Sequence, residues 1–200
     1  MKRTRTEILG IRTRYKTTDE LLDAVGSLRT RGLLIQLFNP DTILNKNHLL
    51  FALSHARASF ARKKNIAKKL ETEILLRAAG THKIDKAIEL VGVKNPKKVF
   101  LLLAGNASAG DQFAASREGS IFATNLSQRT NGPFARSANW KQKLEIIKKL
   151  GARRDDSLLK ITNKKTKNVL RAFGIDAKLL KSYSAEDLLL EKLASLDVFI

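Results

Sequence analysis

The chain has 200 residues, with 38 Lys and Arg against 19 Asp and Glu, which gives a formal charge of +19. A surface this basic attracts polyanions and gains affinity by releasing counterions from phosphates, so nucleic acid is the first partner class, ahead of anionic membranes and acidic proteins. The 43% hydrophobic share excludes a disordered basic tail, the absence of Cys excludes disulfides and thiolate metal sites, and no run of about eighteen apolar residues marks a membrane span.

The start, Met1-Lys2-Arg3-Thr4-Arg5, is basic but leads into no apolar leader segment, so a cytoplasmic protein is expected. Ile8, Leu9 and Ile11 predict a strand over Glu7–Arg12. Thr17-Thr18-Asp19-Glu20 reads as a capping box, followed by the helical stripe Leu21, Leu22, Val25 and Leu28. Leu33–Phe38 is a buried strand stopped by Asn39-Pro40. Leu49, Leu53, Ala56 and Phe60 recur at helical spacing, and a second helix is expected to carry Ile66, Leu70 and Ile74 up to Gly80. Thr81 is placed to cap a third helix whose face is Ile84, Ala87, Ile88 and Val91. Val99–Leu103 is a strong strand, ended by Gly105.

From Asn106 to Asn139 the composition shifts to Ala, Ser, Asn and Gly, with Ile121 and Leu126 as the Leu/Ile-type members. Leu144, Ile147 and Leu150 then predict a helix, Ser157–Ile161 a short strand, and Val169, Leu170 and Phe173 a helix ended by Gly174. Ser184-Ala185-Glu186-Asp187 caps a last helix bearing Leu189, Leu190, Leu193 and Leu196. The expected fold is α+β: a helix-rich single domain with a small mixed or antiparallel sheet packed against helices. Residues 1–105 form the main core with a basic helical region. Residues 106–140 form a polar insertion or mobile loop. Residues 141–200 add a strand and helices that complete the same domain.

The charge excess lies in the first and last of these regions rather than in 106–140. Its densest cluster is Arg57, Arg62, Lys63, Lys64, Lys68 and Lys69, at a turn between two helices. Such a cluster is either a phosphate-matched patch or a solvated helix face. Phe113, Phe122, Phe134 and Trp140 lie near Arg117, Arg129 and Arg136, where they could stack on unpaired bases or anchor a loop.

Catalytic signatures are missing: there is no phosphate-binding Gly-rich loop, no H-E-x-x-H and no G-x-S-x-G. His48 and His55 share a helix face, but no third ligand is nearby, so no metal or other cofactor is expected. Glu73 sits beside an apolar stripe with Arg77 four residues on, which suits a structural ion pair better than a general base. A non-enzyme is the expectation. The contrary reading, an enzyme acting on RNA, would need Glu73, His82 and Asp155 or Asp156 to meet in space.

The stretch His48-Leu49-Leu50-Phe51-Ala52-Leu53-Ser54-His55-Ala56, then Asn65-Ile66-Ala67, then Glu73-Ile74-Leu75-Leu76-Arg77-Ala78-Ala79-Gly80, then Ile84, Ala87-Ile88 and Gly92-Val93, resembles the kinase-binding small subunit of the KEOPS (EKC) complex, in its archaeal type. The closing segment Ser184-Ala185-Glu186 to Asp197 also resembles that family's last helix. Where the family signature reads Ser-Gly-x-Arg-Gln-Ile, this chain has Ala79-Gly80-Thr81-His82-Lys83-Ile84.

The resemblance implies a non-catalytic subunit that binds the small kinase/ATPase subunit and the 3′ CCA end of tRNA, in a complex that makes N6-threonylcarbamoyladenosine at position 37. It implies tRNA contacts at Arg57, Arg62, Lys63, Lys64, Lys68, Lys69, His82 and Lys83. It implies a kinase-docking face at Ile84, Ala87, Ile88 and Val91, with no membrane and no small-molecule substrate. The alternative is an independent basic RNA-binding or ribosome-associated protein with no KEOPS role.

Overall fold

The computed structural model describes residues 6–28, 33–105 and 145–196. Strand β1 (Thr6–Arg12), helix α1 (Thr18–Ser27) and strand β2 (Leu33–Phe38) come first. Helices α2 (Lys46–Ala61), α3 (Leu70–Ala79) and α4 (Ile84–Val91) lead to strand β3 (Lys98–Gly105). A short helix α5 over 145–149 precedes strand β4 (Arg153–Arg154) and a 3-10 turn at Asp156–Leu159. Helix α6 (Asn163–Ala172), a second 3-10 turn at Ala177–Lys181 and helix α7 (Ala185–Ala194) complete the described chain.

The strands form one antiparallel sheet in the order β2-β3-β1-β4. This is the α+β single domain that the sequence predicts. Strand β3 lies between β1 and β2, so helices cover it on both faces, and every residue from Val99 to Ala104 is buried. That accounts for its unbroken apolar run, which a sheet wetted on one face would not need. Phe100, Leu102 and Ala104 face a core with Ile8, Leu34, Phe38 and helices α2, α3, α4, α6 and α7. Val99, Leu101 and Leu103 face the other side, with Leu21 and Val25 of α1 and Ile146 and Leu150 of the α5 segment.

Local signals set several boundaries. Thr17 accepts from the Glu20 N–H at 3.2 Å, and the Glu20 carboxylate accepts from the Thr17 N–H at 3.3 Å, which is the predicted capping box. Ser184 accepts from the Asp187 N–H at 3.1 Å to start α7. Gly10 lies under the chain at Asp155: a β-carbon there would stand 2.3 Å from the Asp155 carbonyl oxygen. A bare backbone at position 10 therefore lets residues 153–158 close over β1.

Three expectations need correction. The helix predicted to include Ile66 begins only at Leu70, because the backbone N–H groups of Ile66 and Ala67 are both held by the Glu73 carboxylate, at 2.8 Å each. Thr81 does not cap α4; its hydroxyl accepts from the Lys83 N–H, and Lys83 takes the cap position with no side-chain bond. Ser157–Ile161 is not a strand. Asp155 accepts from the Ser157 N–H at 3.1 Å and turns the chain into a 3-10 helix, while the strand pairing falls on Arg153–Arg154.

The hairpin of α2 on α3 is fastened at both ends by buried polar groups. At one end Glu73 is fully buried; besides Ile66 and Ala67 it accepts from Arg77 Nε at 2.9 Å. Arg77, 2% exposed, donates onward to the Ser59 hydroxyl on α2 at 2.7 Å. At the other end His48 is buried against α3 and against the edge of the Phe173 ring. Its Nε2 faces the Ala78 carbonyl at 2.8 Å and its Nδ1 faces the Leu44 N–H at 3.4 Å. A carbonyl can only accept and an N–H can only donate, so the ring is neutral with its proton on Nε2. Burial lowers the His48 pKa from 6.5 to about 4.

Two outcomes follow from these groups. Replacing Glu73 with Gln keeps the shape but leaves Arg77 as a buried charge without its carboxylate, and is expected to cost about 3 kcal/mol or more in urea unfolding; a loss under about 1 kcal/mol would show that the network carries little. Well above pH 6.5, His48 is neutral in folded and unfolded chains and contributes nothing to pH dependence. Between pH 6.5 and 4 the unfolded chain binds a proton that the folded chain refuses, so stability drops as the pH is lowered, by about 3 kcal/mol from this residue at the acid end. His48→Gln, which can still donate to the Ala78 carbonyl, is expected to flatten that part of a melting-temperature profile relative to the unaltered chain.

Candidate functional site

The basic turn between α2 and α3 is held from inside. Arg62, Lys63, Lys64, Lys68 and Lys69 are all exposed, and the segment between them is tied by Ile66 and Ala67 to buried Glu73. The five cations therefore project from a fixed backbone rather than a loose loop. Arg57 belongs elsewhere: it is half-buried on α2 and donates through Nη2 to the carbonyl of Gly105, the last residue of β3, at 2.7 Å.

Lys63 stands out by its conformation. Four helices end in the same way, with a residue of positive φ just past the last turn and the next N–H reaching back five residues. After α3, α5 and α6 that residue is Gly80, Gly151 and Gly174, with φ of 61°, 55° and 65°. After α2 it is Lys63, with φ of 58°. A side chain in this region costs about 1 kcal/mol where Gly costs nothing. The position thus gives up stability and gains a fixed positive charge at the tip of the basic turn. No signal in the residue sequence marks it, since Gly is the residue expected at such a helix end.

The remaining polar residues of the expected tRNA surface lie at the opposite end of α3. His82 and Lys83 are exposed in the connection after Gly80. Helix α3 has ten residues, which at 1.5 Å per residue separates them from the 62–69 turn by roughly 15 Å. Gly80 carries a second demand besides its φ: a β-carbon there would lie 3.1 Å from the Leu193 side chain of α7. The C-terminal helix thus packs directly on the signature turn.

His82 and Lys83 lead straight into α4, whose four expected docking residues divide in two. Ala87 and Val91 are fully buried against the core. Ile84 and Ile88 face outward, 47% and 54% exposed, one helical turn apart. The α4 surface open to a partner is therefore an Ile84–Ile88 strip bordered by exposed Asp85, Lys86 and Glu89. An exposed pair of large aliphatic side chains in a charged border is the form of a small protein-docking strip.

The groups named for an RNA-directed enzyme do not assemble. Glu73 is buried and spent on Arg77 and the turn backbone. Asp155 is bound to Arg12 and Ser157, which hold its carboxyl below the usual range, the Ser157 hydroxyl foremost. Asp156 pairs with Arg154. Among the described residues, no three His, Asp or Glu side chains converge as a metal ion would require. No helix among them is long and apolar enough to cross a membrane. Phe113, Phe122, Phe134 and Trp140, and the whole of the expected 106–140 insertion, lie outside the described residues.

Comparison with known proteins adds a family. Residues 15–197 match the model of the family described as kinase binding protein CGI-121. The chain is also 41% identical over 64 residues to the "Regulatory protein Cgi121" of Methanocaldococcus jannaschii, a match that covers 32% of this chain and 41% of that protein. The family match runs from Tyr15, just past β1, through the basic turn, the Gly80 turn and α4 to the end of α7. The chain belongs to the CGI-121 family of kinase-binding proteins.

Proposed function

We propose that the protein is a non-catalytic accessory subunit of a KEOPS-type complex, which binds the complex's small kinase/ATPase subunit and the 3′ CCA end of tRNA during N6-threonylcarbamoyladenosine synthesis at position 37. The observation that carries the kinase half is the exposed Ile84–Ile88 strip on α4, within the region that matches a family described by kinase binding. The core beneath it, through Ala87 and Val91, is continuous with the α2–α3 hairpin. A partner on α4 is then set at a fixed position relative to the basic turn. The tRNA half is supported by the five exposed cations at 62–69, and by Lys63 held at positive φ where Gly would be the stabler choice. His82 and Lys83 stand beside the kinase strip, which makes them the residues to meet RNA at the kinase boundary. Their difference from the usual Arg-Gln pair leaves one cation there, plus a ring that can stack on a base.

Two experiments test the halves separately. Ile84→Asp with Ile88→Asp puts charge into the strip without touching the core, so the melting temperature should hold. Affinity for the purified kinase subunit should fall by about tenfold or more, roughly 1.4 kcal/mol at least, in calorimetry. Unchanged affinity would move the kinase site off α4. For the RNA, intact tRNA is expected to bind more tightly than tRNA trimmed of its CCA. Neutralising Arg62, Lys63 and Lys64 to Gln should lower the slope of log affinity against log salt by about 2, since each phosphate no longer neutralised removes about 0.7 to 0.9. Equal binding of intact and trimmed tRNA, with no complex formed by the kinase, would favour an independent basic RNA-binding protein.

A further inference from the structure

A second basic surface lies on the C-terminal part of the chain, away from the turn at 62–69. Helix α6 is sharply two-faced. Lys165, Thr166, Val169 and Leu170 turn inward or lie half-covered, with Val169 and Leu170 buried. At about 100° per residue the opposite face carries Lys164, Lys167, Asn168 and Arg171, all exposed. Three of these four are cations, none is acidic, and none of the three cations is paired with a carboxylate of a described residue. In the 3-10 turn that follows, Lys178 and Lys181 are exposed, as is Tyr183. Asp176 is the single acid between Ser157 and Ser184, and its carboxylate caps the 3-10 turn through the Lys178 N–H at 2.9 Å.

Helices α1, α4 and α7 do not share this character. The outward positions of α1 include Asp19, Glu20 and Asp23, those of α4 mix both signs, and α7 presents Asp187 and Glu191 beside Lys192. The outward face of α1 is thus acidic, and those of α4 and α7 mix signs as a solvated face does; of these four helices only α6 is purely basic. Lys165 shows the contrast within α6 itself: its ammonium sits 4.7 Å from the centre of the buried Phe100 ring and donates to the Leu158 carbonyl at 2.9 Å. It is a packing residue that fixes the helix, while its three neighbours in charge have no such employment.

The fold also sets where this surface stands. Helix α6 meets the first turn of α2 through Phe173 and His48, and meets the start of β3 through Lys165 and Phe100. The turn at 62–69 follows the last residue of α2. About fourteen helical residues separate His48 from Arg62, so the place where α6 meets α2 is roughly 20 Å along that helix from the basic turn. A folded RNA can reach both basic surfaces, with its backbone on one and an end on the other.

We propose that the outer face of α6, Lys164, Lys167 and Arg171 with Lys178 and Lys181 beyond it, is a second nucleic-acid surface that grips the phosphate backbone of a folded RNA's double-helical body. It rests on the RNA-binding half of the proposed function but not on recognition of the CCA end. Guanidinium and ammonium groups spaced along one helix face track phosphates without reading bases, so the surface adds affinity and orientation rather than sequence choice.

The test is a triple variant, Lys164→Gln, Lys167→Gln and Arg171→Gln, in the full chain, titrated by anisotropy against intact tRNA and CCA-trimmed tRNA over a salt series. All three positions are exposed, so the melting temperature should match that of the unaltered chain. The expected result is about tenfold weaker binding at low salt and a salt slope smaller by about 2, equally on intact and trimmed RNA. The charge-keeping triple, Lys164→Arg, Lys167→Arg and Arg171→Lys, should bind as the unaltered chain does. An unchanged affinity and slope for the Gln triple overturns the proposal. So does a Gln triple that keeps its RNA affinity but loses binding to phosphatidylserine vesicles, which would make the face a membrane-binding one. If trimming the CCA leaves the unaltered chain's affinity intact while the Gln triple still weakens binding, end recognition fails and the α6 surface stands. No RNA binding by the unaltered chain overturns both.

Discussion

The half of this molecule that carries the candidate site hangs on a carboxylate that water does not reach. Glu73 accepts two backbone N–H groups from the turn ahead of its own helix and one guanidinium N–H from the turn behind. Removing a carboxylate from water is costly, and a buried pair recovers that cost only when its lone pairs and protons are matched. Here they are, because Arg77 passes a further hydrogen bond to Ser59. Ser59 lies on the neighbouring helix, and its carbonyl also accepts from the Lys64 N–H of the turn at 2.8 Å. The same few atoms thus set the angle of α2 on α3, delay the start of α3 to Leu70 and stiffen the backbone between five exposed lysines and arginines. An apolar replacement could pack as well, but it could not hold the N–H groups of Ile66 and Ala67.

Much of the fold was legible because the relevant interactions are short in sequence. Apolar runs marked β1, β2 and β3, and the Thr17–Glu20 and Ser184–Asp187 pairs marked helix starts within a turn of the residues that make them. The Glu73–Arg77 pair was legible as i and i+4. The misreadings share a cause in longer reach. Ile66 kept helical spacing with Leu70, yet a carboxylate seven residues on captured its backbone. Ser157–Ile161 had strand composition, yet Asp155 turned it and Gly10, far back in the chain, gave it a place to lie.

The candidate site was legible in composition and less so in orientation. The cluster around Arg62 showed in the sequence as charge density, but Arg57 belonged to it only by proximity in the chain and turns instead to Gly105. A stripe of four apolar residues on α4 could not say which two face the core. The answer depends on where α3 and β2 lie, and it left Ile84 and Ile88 outside. On α6 the wheel was readable, since Val169, Leu170 and Phe173 already fix the inner face; the outer cations follow by subtraction. Lys63 was not readable at all, because its φ is set by the way α2 ends and not by its own preference.

The place of β3 in the sheet has a consequence for how the chain reaches this state. Among the described strands it is the last long one to be made and the one that both earlier strands need, since β1 and β2 do not pair with each other. Thr6 must find Ala104, and Leu33 must find Gly105. Until then, α1 has no completed sheet to cover, while the α2–α3 hairpin, closed by local bonds, can form early. Pairings this distant in sequence slow folding and leave apolar strand edges open meanwhile. On a ribosome, β1 and β2 would wait without their strand partner until residue 105 emerges, and the α2–α3 hairpin that carries the 62–69 turn would be ordered before the sheet that supports it.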